Sequence, residues 1–284
     1  MSMRVFLAGA SGVLGRRIIP LLVAQGHDVA GLTRHARSTA LIERLGARAV
    51  VADVYEPASL EAALRRARPD IVMHQLTDLS AGDRLANARI REVGTRHLVD
   101  AALDAGVRRM IVQSIAWAYE PGDRPATERT PLDLQSTGDR RDTVAAIATL
   151  ERTAGELPET VILRYGTFYG PDTWYACGAL MAATARAGGL TANSDVTSFV
   201  HVDDAAAAAA AALTWAPGVV NVCDDEPAPS DEWMPAFCSV IGADPPEHSS
   251  NRTPWARGAD NRRLRHELGF ALRYPTWRTG FLRI

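Results

Sequence analysis

Through the first 165 residues, short apolar runs alternate with stretches whose apolar positions recur at three- and four-residue intervals. The runs are Arg4–Ala8, Asp28–Leu32, Ala47–Ala52, Ile71–Gln75, Met110–Ser114 and Thr160–Arg164. Continuous apolar runs of this length mark strands buried on both faces of a parallel sheet. The periodic stretches, Leu14–Gln25, Thr39–Leu45, Pro57–Ala67, Ala86–Ala105 and Thr143–Gly155, predict helices that each bury one face. Their alternation predicts an α/β fold, a doubly wound parallel Rossmann sheet covered by helices on both sides.

After Arg164 the alternation loosens into Y-G-T-F-Y-G-P, a small-residue segment to Gly189, and S-F-V-H-V-D-D. An unbroken alanine run, Ala205–Ala212, then predicts a helix without side-chain bulk that presses close to its neighbours. Prolines at 227, 229, 245 and 246 punctuate the rest. The expected organisation is a dinucleotide-binding Rossmann domain over 1–165, with the helix at about 203–215 packing back on it. Residues 166–284 are expected to form mainly a small C-terminal substrate lobe.

Composition changes this picture in two places. A formal net charge of -2 gives no field of one sign to gather nucleic acid or an anionic membrane, so a small-molecule substrate is the expected partner. All 31 basic residues are arginine and lysine is absent, which forbids any mechanism that needs a lysine. Cys177, Cys223 and Cys238 have neither metal-ligand spacing nor an even count, so no metal and no disulfide framework is expected. The apolar run after Arg4 is closed by glycine after four residues, too brief for a signal peptide or membrane span. A cytoplasmic location is the resulting expectation.

The chemistry starts at G-A-S-G-V-L-G, which sets Gly9, Gly12 and Gly15 directly after a strand and at the start of a helix. The first glycine permits the tight turn, the second lets a pyrophosphate approach the backbone, and the third lets helix pack on strand. The second strand ends in G-L-T-R-H-A-R, with Arg34 where an acidic residue would accept from the ribose of NAD. Arg34 and nearby Arg37 suit the 2′-phosphate of NADP, so NADP is favoured over NAD. Asp53, just past the third strand, is placed to accept from the adenine amino group.

Six further segments join the glycine loop in one pattern: A-D-V (52–54), Q-S-I-A-W-A-Y (113–119), R-Y-G-T-F-Y-G-P (164–171), F-V-H-V-D-D (199–204), N-V-C-D-D-E-P (221–227) and N-R-R-L-R-H-E-L-G-F (261–270). Together they resemble the extended short-chain dehydrogenase/reductase superfamily, in its NAD-dependent epimerase/dehydratase branch, over nearly the whole chain. The resemblance implies a cofactor site of Gly9, Ser11, Gly12, Val13, Leu14, Gly15, Arg34, Arg37, Asp53, Val54, Gln75, Leu76, Thr77, Ser114, Tyr165 and Phe168. It implies a substrate pocket near Ile115, Ala116, Trp117, Thr143, Tyr169, Trp174 and Tyr175, whose aromatic faces suit an apolar substrate. Relatives often dimerise through the two helices here at Ala86–Ala105 and Thr143–Gly155, and the apolar residues Val144, Ile147 and Leu150 suit either a dimer seam or a core face.

One departure governs the function. Members typically carry a Tyr-x-x-x-Lys pair whose tyrosine handles a proton while the lysine lowers its pKa. Aligning on Glu151 puts Thr143 at the tyrosine position and Ile147 at the lysine position, and no other register supplies a lysine. The family serine falls on Ile115, beside Ser114. Candidate substitute donors are Tyr165, Tyr169 and His201, while Asp203 and Asp204 are expected to cap the alanine helix and hold Arg164. The expected activity is NADP-dependent reduction of a carbonyl, enone or imine in a small apolar metabolite. The alternatives are a non-catalytic NADP-binding sensor, or an epimerase, isomerase or lyase of the same superfamily.

Overall fold

The computed structural model describes residues 2–79 and 83–284. Its first half runs β1 (Arg4–Ala8), α1 (Gly15–Ala24), β2 (Asp28–Thr33), α2 (Thr39–Arg44), β3 (Arg48–Val51), α3 (Pro57–Ala67), β4 (Ile71–His74), α4 (Arg84–Arg89), α5 (Thr95–Asp104), β5 (Arg109–Ile115), α6 (Gly138–Ala154) and β6 (Glu159–Tyr165). The second half contributes β7 (Thr167–Tyr169), α7 (Leu180–Arg186), β8 (Thr191–Ala192), β9 (Val196–Thr197), β10 (Phe199–His201), α8 (Val202–Ala211) and β11 (Gly218–Val222). A further helix follows at Ser230–Ile241.

Seven strands form one parallel sheet in the order β3-β2-β1-β4-β5-β6-β11. In register, Val5 of β1 lies between Val29 of β2 and Ile71 of β4. Successive strands are added outward from β1 in one direction up to β3 and in the other from β4, so the winding reverses between β1 and β4. In open α/β sheets a ligand crevice forms outside the carboxyl ends of the strands at such a reversal.

The chain divides into two compact units: Met1–Ser114, Leu134–Leu163 and Ala206–Val219 form the first; Ile115–Asp133, Arg164–Ala205 and Val220–Ile284 form the second. The first is built on Phe6, Leu32, Leu60, Val72, Leu98, Met110, Val112 and Leu150, all buried between sheet and helices. In it the Arg109 guanidinium donates to the carbonyls of Ala212 and Trp215, satisfying groups left open where the alanine-rich helix ends. The core of the second is aromatic, with Tyr169, Phe199, Trp233, Phe237, Trp277 and Phe281 buried together.

Two helices differ from their sequence patterns. The single helix expected over Ala86–Ala105 is interrupted by one wider, π-type turn at Ile90–Gly94. Gly94 lets that turn lie against Val54, since a Cβ there would come within 3.4 Å of its side chain. α6 starts at Gly138 instead of Thr143, because its first turn is polar and exposed and so leaves no apolar periodicity to read. Val144, Ile147 and Leu150 are buried within the single chain. That makes them core, and removes them from any seam between copies.

His74, at the end of β4, is fully buried and bonds Thr95 Oγ1 through Nε2 at 2.8 Å. Burial, reinforced by the nearby Arg91 charge, lowers its pKa to about 4. The unfolded chain therefore takes up a proton near pH 6.5 that the folded chain refuses until about pH 4. Stability attributable to His74 is complete above pH 6.5 and is lost as pH falls toward 4, by roughly 3 kcal/mol at most. Urea denaturation across this window should show a shallower pH dependence in His74→Gln than in the unchanged protein; parallel profiles would refute the assignment.

Candidate active site

The N-terminal turn is shaped by contacts that exclude side chains. Gly9 has φ +95°, and a Cβ on it would lie 2.5 Å from the Gln75 carbonyl oxygen. At Gly15 a Cβ would lie 2.2 Å from the Gly9 carbonyl oxygen. The Gly12 amide donates to that same carbonyl at 3.0 Å, and Gly12 itself faces solvent. No side chain caps α1 and no acidic residue lies in its first turn, so its positive end remains open to an anion.

The rest of this rim lies in the same unit. Gln75 is 6% exposed, yet neither its amide nitrogen nor its amide oxygen has a hydrogen-bond partner among the described residues. A buried amide left without partners costs stability unless a ligand satisfies it. Leu76 is half-buried and its carbonyl accepts from Gln113 at 2.6 Å, while Thr77 is exposed. Asp53 is half-buried and turns one oxygen to the Tyr55 amide at 2.9 Å; Val54 is buried behind it. Ser11 and Val13 are half-buried and Leu14 is buried. A glycine cradle that a Cβ would fill, beside an orphaned amide, fits the pyrophosphate of a dinucleotide.

Arg34 and Arg37 are exposed on the segment after β2. Arg34 also stands 3.8 Å from Asp78, a carboxylate that the sequence reading had not placed there. Ser114 is buried and donates to Glu151 at 2.6 Å, which ties the end of β5 to α6. On α6, Thr143 is half-buried with its hydroxyl turned to the Asp139 carbonyl, and Ile147 is fully buried. Neither position offers a group that moves a proton.

The remaining candidates lie in the second unit. Tyr165 is buried beside Phe168, 5.2 Å between ring centroids, and its hydroxyl has no partner among the described residues. Desolvation raises its pKa well above that of a free phenol, so it stays protonated. Tyr169 is fully buried with Phe199, His201 and Phe281 edge-on around it, and burial raises its pKa too. His201 stacks on Tyr274 at 3.7 Å and accepts from the Asp203 amide. Tyr175 packs edge-on against Phe199, Trp233 and Phe237. These contacts make Tyr169, His201 and Tyr175 parts of an aromatic core.

Trp117 and Trp174 are 40% and 45% exposed and present apolar faces outward. Ile115 is half-buried and Ala116 buried. Asp204 does not hold Arg164 as expected: its two oxygens accept from the amides of Arg273 and Tyr274 at 2.9 and 2.8 Å, while Arg164 lies over the Tyr119 ring. One residue of the first unit had escaped the sequence reading altogether. Arg91, in the π-type turn, is buried without a hydrogen bond or ion pair among the described residues.

The family model for the NAD dependent epimerase/dehydratase family matches residues 5–223. A Streptomyces protein named 3-diazoavenalumate denitrifying reductase is 40% identical over 98% of this chain and 99% of its own length. Among solved structures, a Thermus thermophilus UDP-glucose 4-epimerase in complex with NAD superimposes with a TM-score of 0.76 at 23% identity, over 99% of this chain and 97% of that one. A Campylobacter jejuni UDP-Glc/GlcNAc 4-epimerase gives 0.80 at 20% identity, over 99% and 98%. These two likenesses concern the fold.

Two glycine variants separate binding from folding. Gly12→Ala meets only the Gly9 carbonyl, at 3.2 Å, and places its methyl on the open face of the turn. It should weaken NADPH at least 10-fold in a fluorescence titration and leave the melting temperature nearly unchanged, because a methyl there denies close approach of a phosphate. Gly15→Ala, which drives a methyl into backbone, should lower the melting temperature outright. Equal NADPH affinity in Gly12→Ala would remove the phosphate role.

Proposed function

The chain belongs to the NAD dependent epimerase/dehydratase family, and from that premise we propose that it is a nicotinamide-dependent oxidoreductase that removes a diazo group from a small aromatic acid. The observation that carries this reading is that a chain with all three glycines of a dinucleotide cradle has no lysine, so that the resemblance would put only Thr143 and Ile147 of α6 at the positions of the proton-handling pair. A carbonyl reduced to an alcohol must receive a proton along with its hydride, and general acid help there contributes ~10²–10⁴-fold. A diazonium group has no such need.

The relative's name supplies the chemical class, since it contains a diazo group, a carboxylate and the removal of nitrogen under reduction. When bound, the reduced dinucleotide supplies a hydride. The net change would then balance without a protein acid at the hydride step: the hydride would bond to the terminal diazo nitrogen to give an aryldiazene, whose N–H and carbon–nitrogen bonds then break as N2 leaves and that hydrogen passes to the ring carbon. The substrate's positive charge and the cofactor's two electrons account for the oxidised, positively charged nicotinamide.

In this reading the chain's own residues bind, orient and exclude water. Gly9, Gly12 and Gly15 with the open end of α1 hold the pyrophosphate, and Gln75 pairs its orphaned amide with the ligand. In the second unit Tyr165 is neutral and buried, and its hydroxyl has no partner among the described residues. Trp117 and Trp174 offer apolar faces for an aromatic substrate. NADP is the preferred dinucleotide because Arg34 and Arg37 stand exposed after β2. The solved neighbour holds NAD, so the two cofactors are to be compared directly.

Anaerobic assays with an arenediazonium carboxylate should consume NADPH and release N2 one for one, with slower turnover on NADH and none on simple ketones. Placing tyrosine at Thr143 should bring no gain, whereas a site that merely lacked its donor would recover part of ~10²–10⁴-fold. NADPH consumption on ketones at a rate equal to that on the diazonium acid would overturn the reading.

A further inference from the structure

Beyond the cradle, the first unit holds a cation with no counterion among the described residues. Arg91 is 8% exposed and makes no hydrogen bond or ion pair among the described residues. Burial alone lowers its pKa, to about 10, with no carboxylate acting on it. The half-buried Arg109, by contrast, meets two backbone carbonyls and Glu159. An isolated buried guanidinium is costly, and a fold that keeps one has a use for an anion there.

The helix around it fixes where that anion would lie. One turn before Arg91, the Asn87 side-chain oxygen accepts from the Asp78 amide at 3.2 Å, in the loop after β4. One turn after it, Thr95 bonds His74 at the end of β4. Asn87, Arg91, Thr95 and Leu98 are all buried, so they share the inward stripe of the helix. Arg91 therefore sits between two contacts to the carboxyl end of β4, the edge that also carries the orphaned Gln75 amide. Its turn is of the wide π type, which is frequent at functional sites, and packs against α6. The orphaned Gln75 amide and the largely buried Arg91 thus share one strand end, at the reversal of the sheet's winding.

We propose that Arg91 is the substrate-anchoring cation of this site, receiving a carboxylate oxygen of the acidic substrate in a first unit whose α6 carries no lysine. The assignment rests on the reading above that the substrate is an aromatic acid. The turn that carries Arg91 packs against α6, the helix on which the family resemblance puts the proton-handling pair, and this is the ground for assigning it to the substrate and not to the pyrophosphate. A guanidinium pairs with carboxylate in a two-pronged, charge-assisted geometry, which would fix the orientation of the acid as well as hold it.

Calorimetry with an unreactive aromatic acid, 4-hydroxycinnamate, and with its methyl ester tests this without turnover, in the presence of NADP⁺. The protein should prefer acid over ester. Arg91→Met should bind the acid roughly 10- to 100-fold more weakly, with ester and NADP⁺ affinities unchanged, and Arg91→Lys should fall between. The melting temperature of Arg91→Met should hold or rise, because an uncompensated buried charge has been removed. Equal loss for acid and ester, no loss for either, or a lowered melting temperature would overturn the proposal. Loss confined to NADP⁺ would also overturn it, by moving the oxyanion to a cofactor phosphate. Should diazo turnover fail while acid binding still depends on Arg91, the reaction falls and the anchor stands.

Discussion

The close approach of backbone to backbone at the N-terminal turn is the constraint on which the site depends. The Gly9 carbonyl occupies the space that any side chain at residue 15 would need, and the Gln75 carbonyl does the same for residue 9. Those contacts bring α1 against β1 and β4, leave the helix end uncapped, and set the crevice at the reversal of strand order. Neighbouring elements are then held to this point by the parallel register of β1 with β2 and β4. A site shaped mainly by main chain is tolerant of chemistry elsewhere, because few of its donors are side chains.

That tolerance bears on how this chain departs from its family. The chain has no lysine, Ile147 of α6 is fully buried, and Ser114, at the end of β5, is bonded to Glu151. Buried polarity in the unit stands elsewhere, on Gln75 and Arg91, groups suited to binding and orienting and not to shuttling protons. Tyr165 in the second unit is held neutral by burial. A residue set of this kind suits an electrophile that is already activated, and a diazonium group carries its activation in its own leaving nitrogen.

Much of this was legible in the sequence, and the failures have physical causes. Continuous apolar runs located β1 to β6 to within two residues, because strands covered on both faces of a parallel sheet carry mostly apolar residues. The glycine spacing located the cradle for the same reason that it forms, the exclusion of Cβ atoms. The start of α6 was missed because its exposed first turn has no apolar signal. Tyr169 and Tyr175 stand near pocket-forming motifs, and ring-on-ring packing sets both in the aromatic core, a degree of burial that sequence spacing does not report. Arg91 did leave a trace: it is a charged residue on the buried stripe of a predicted helix, at helical spacing from Asn87, Thr95 and Leu98. The π-type turn that accompanies it has no comparable signature.

The central claim is that hydride transfer here proceeds without a proton supplied by the protein. Single-turnover oxidation of NADPH by an arenediazonium acid tests it most directly, with deuterium placed either at C4 of the nicotinamide or in the solvent. The account predicts a clear slowing with the C4 label and a rate in D2O close to that in H2O. A large solvent isotope effect on the same step would mean that a proton moves with the hydride, and would contradict it.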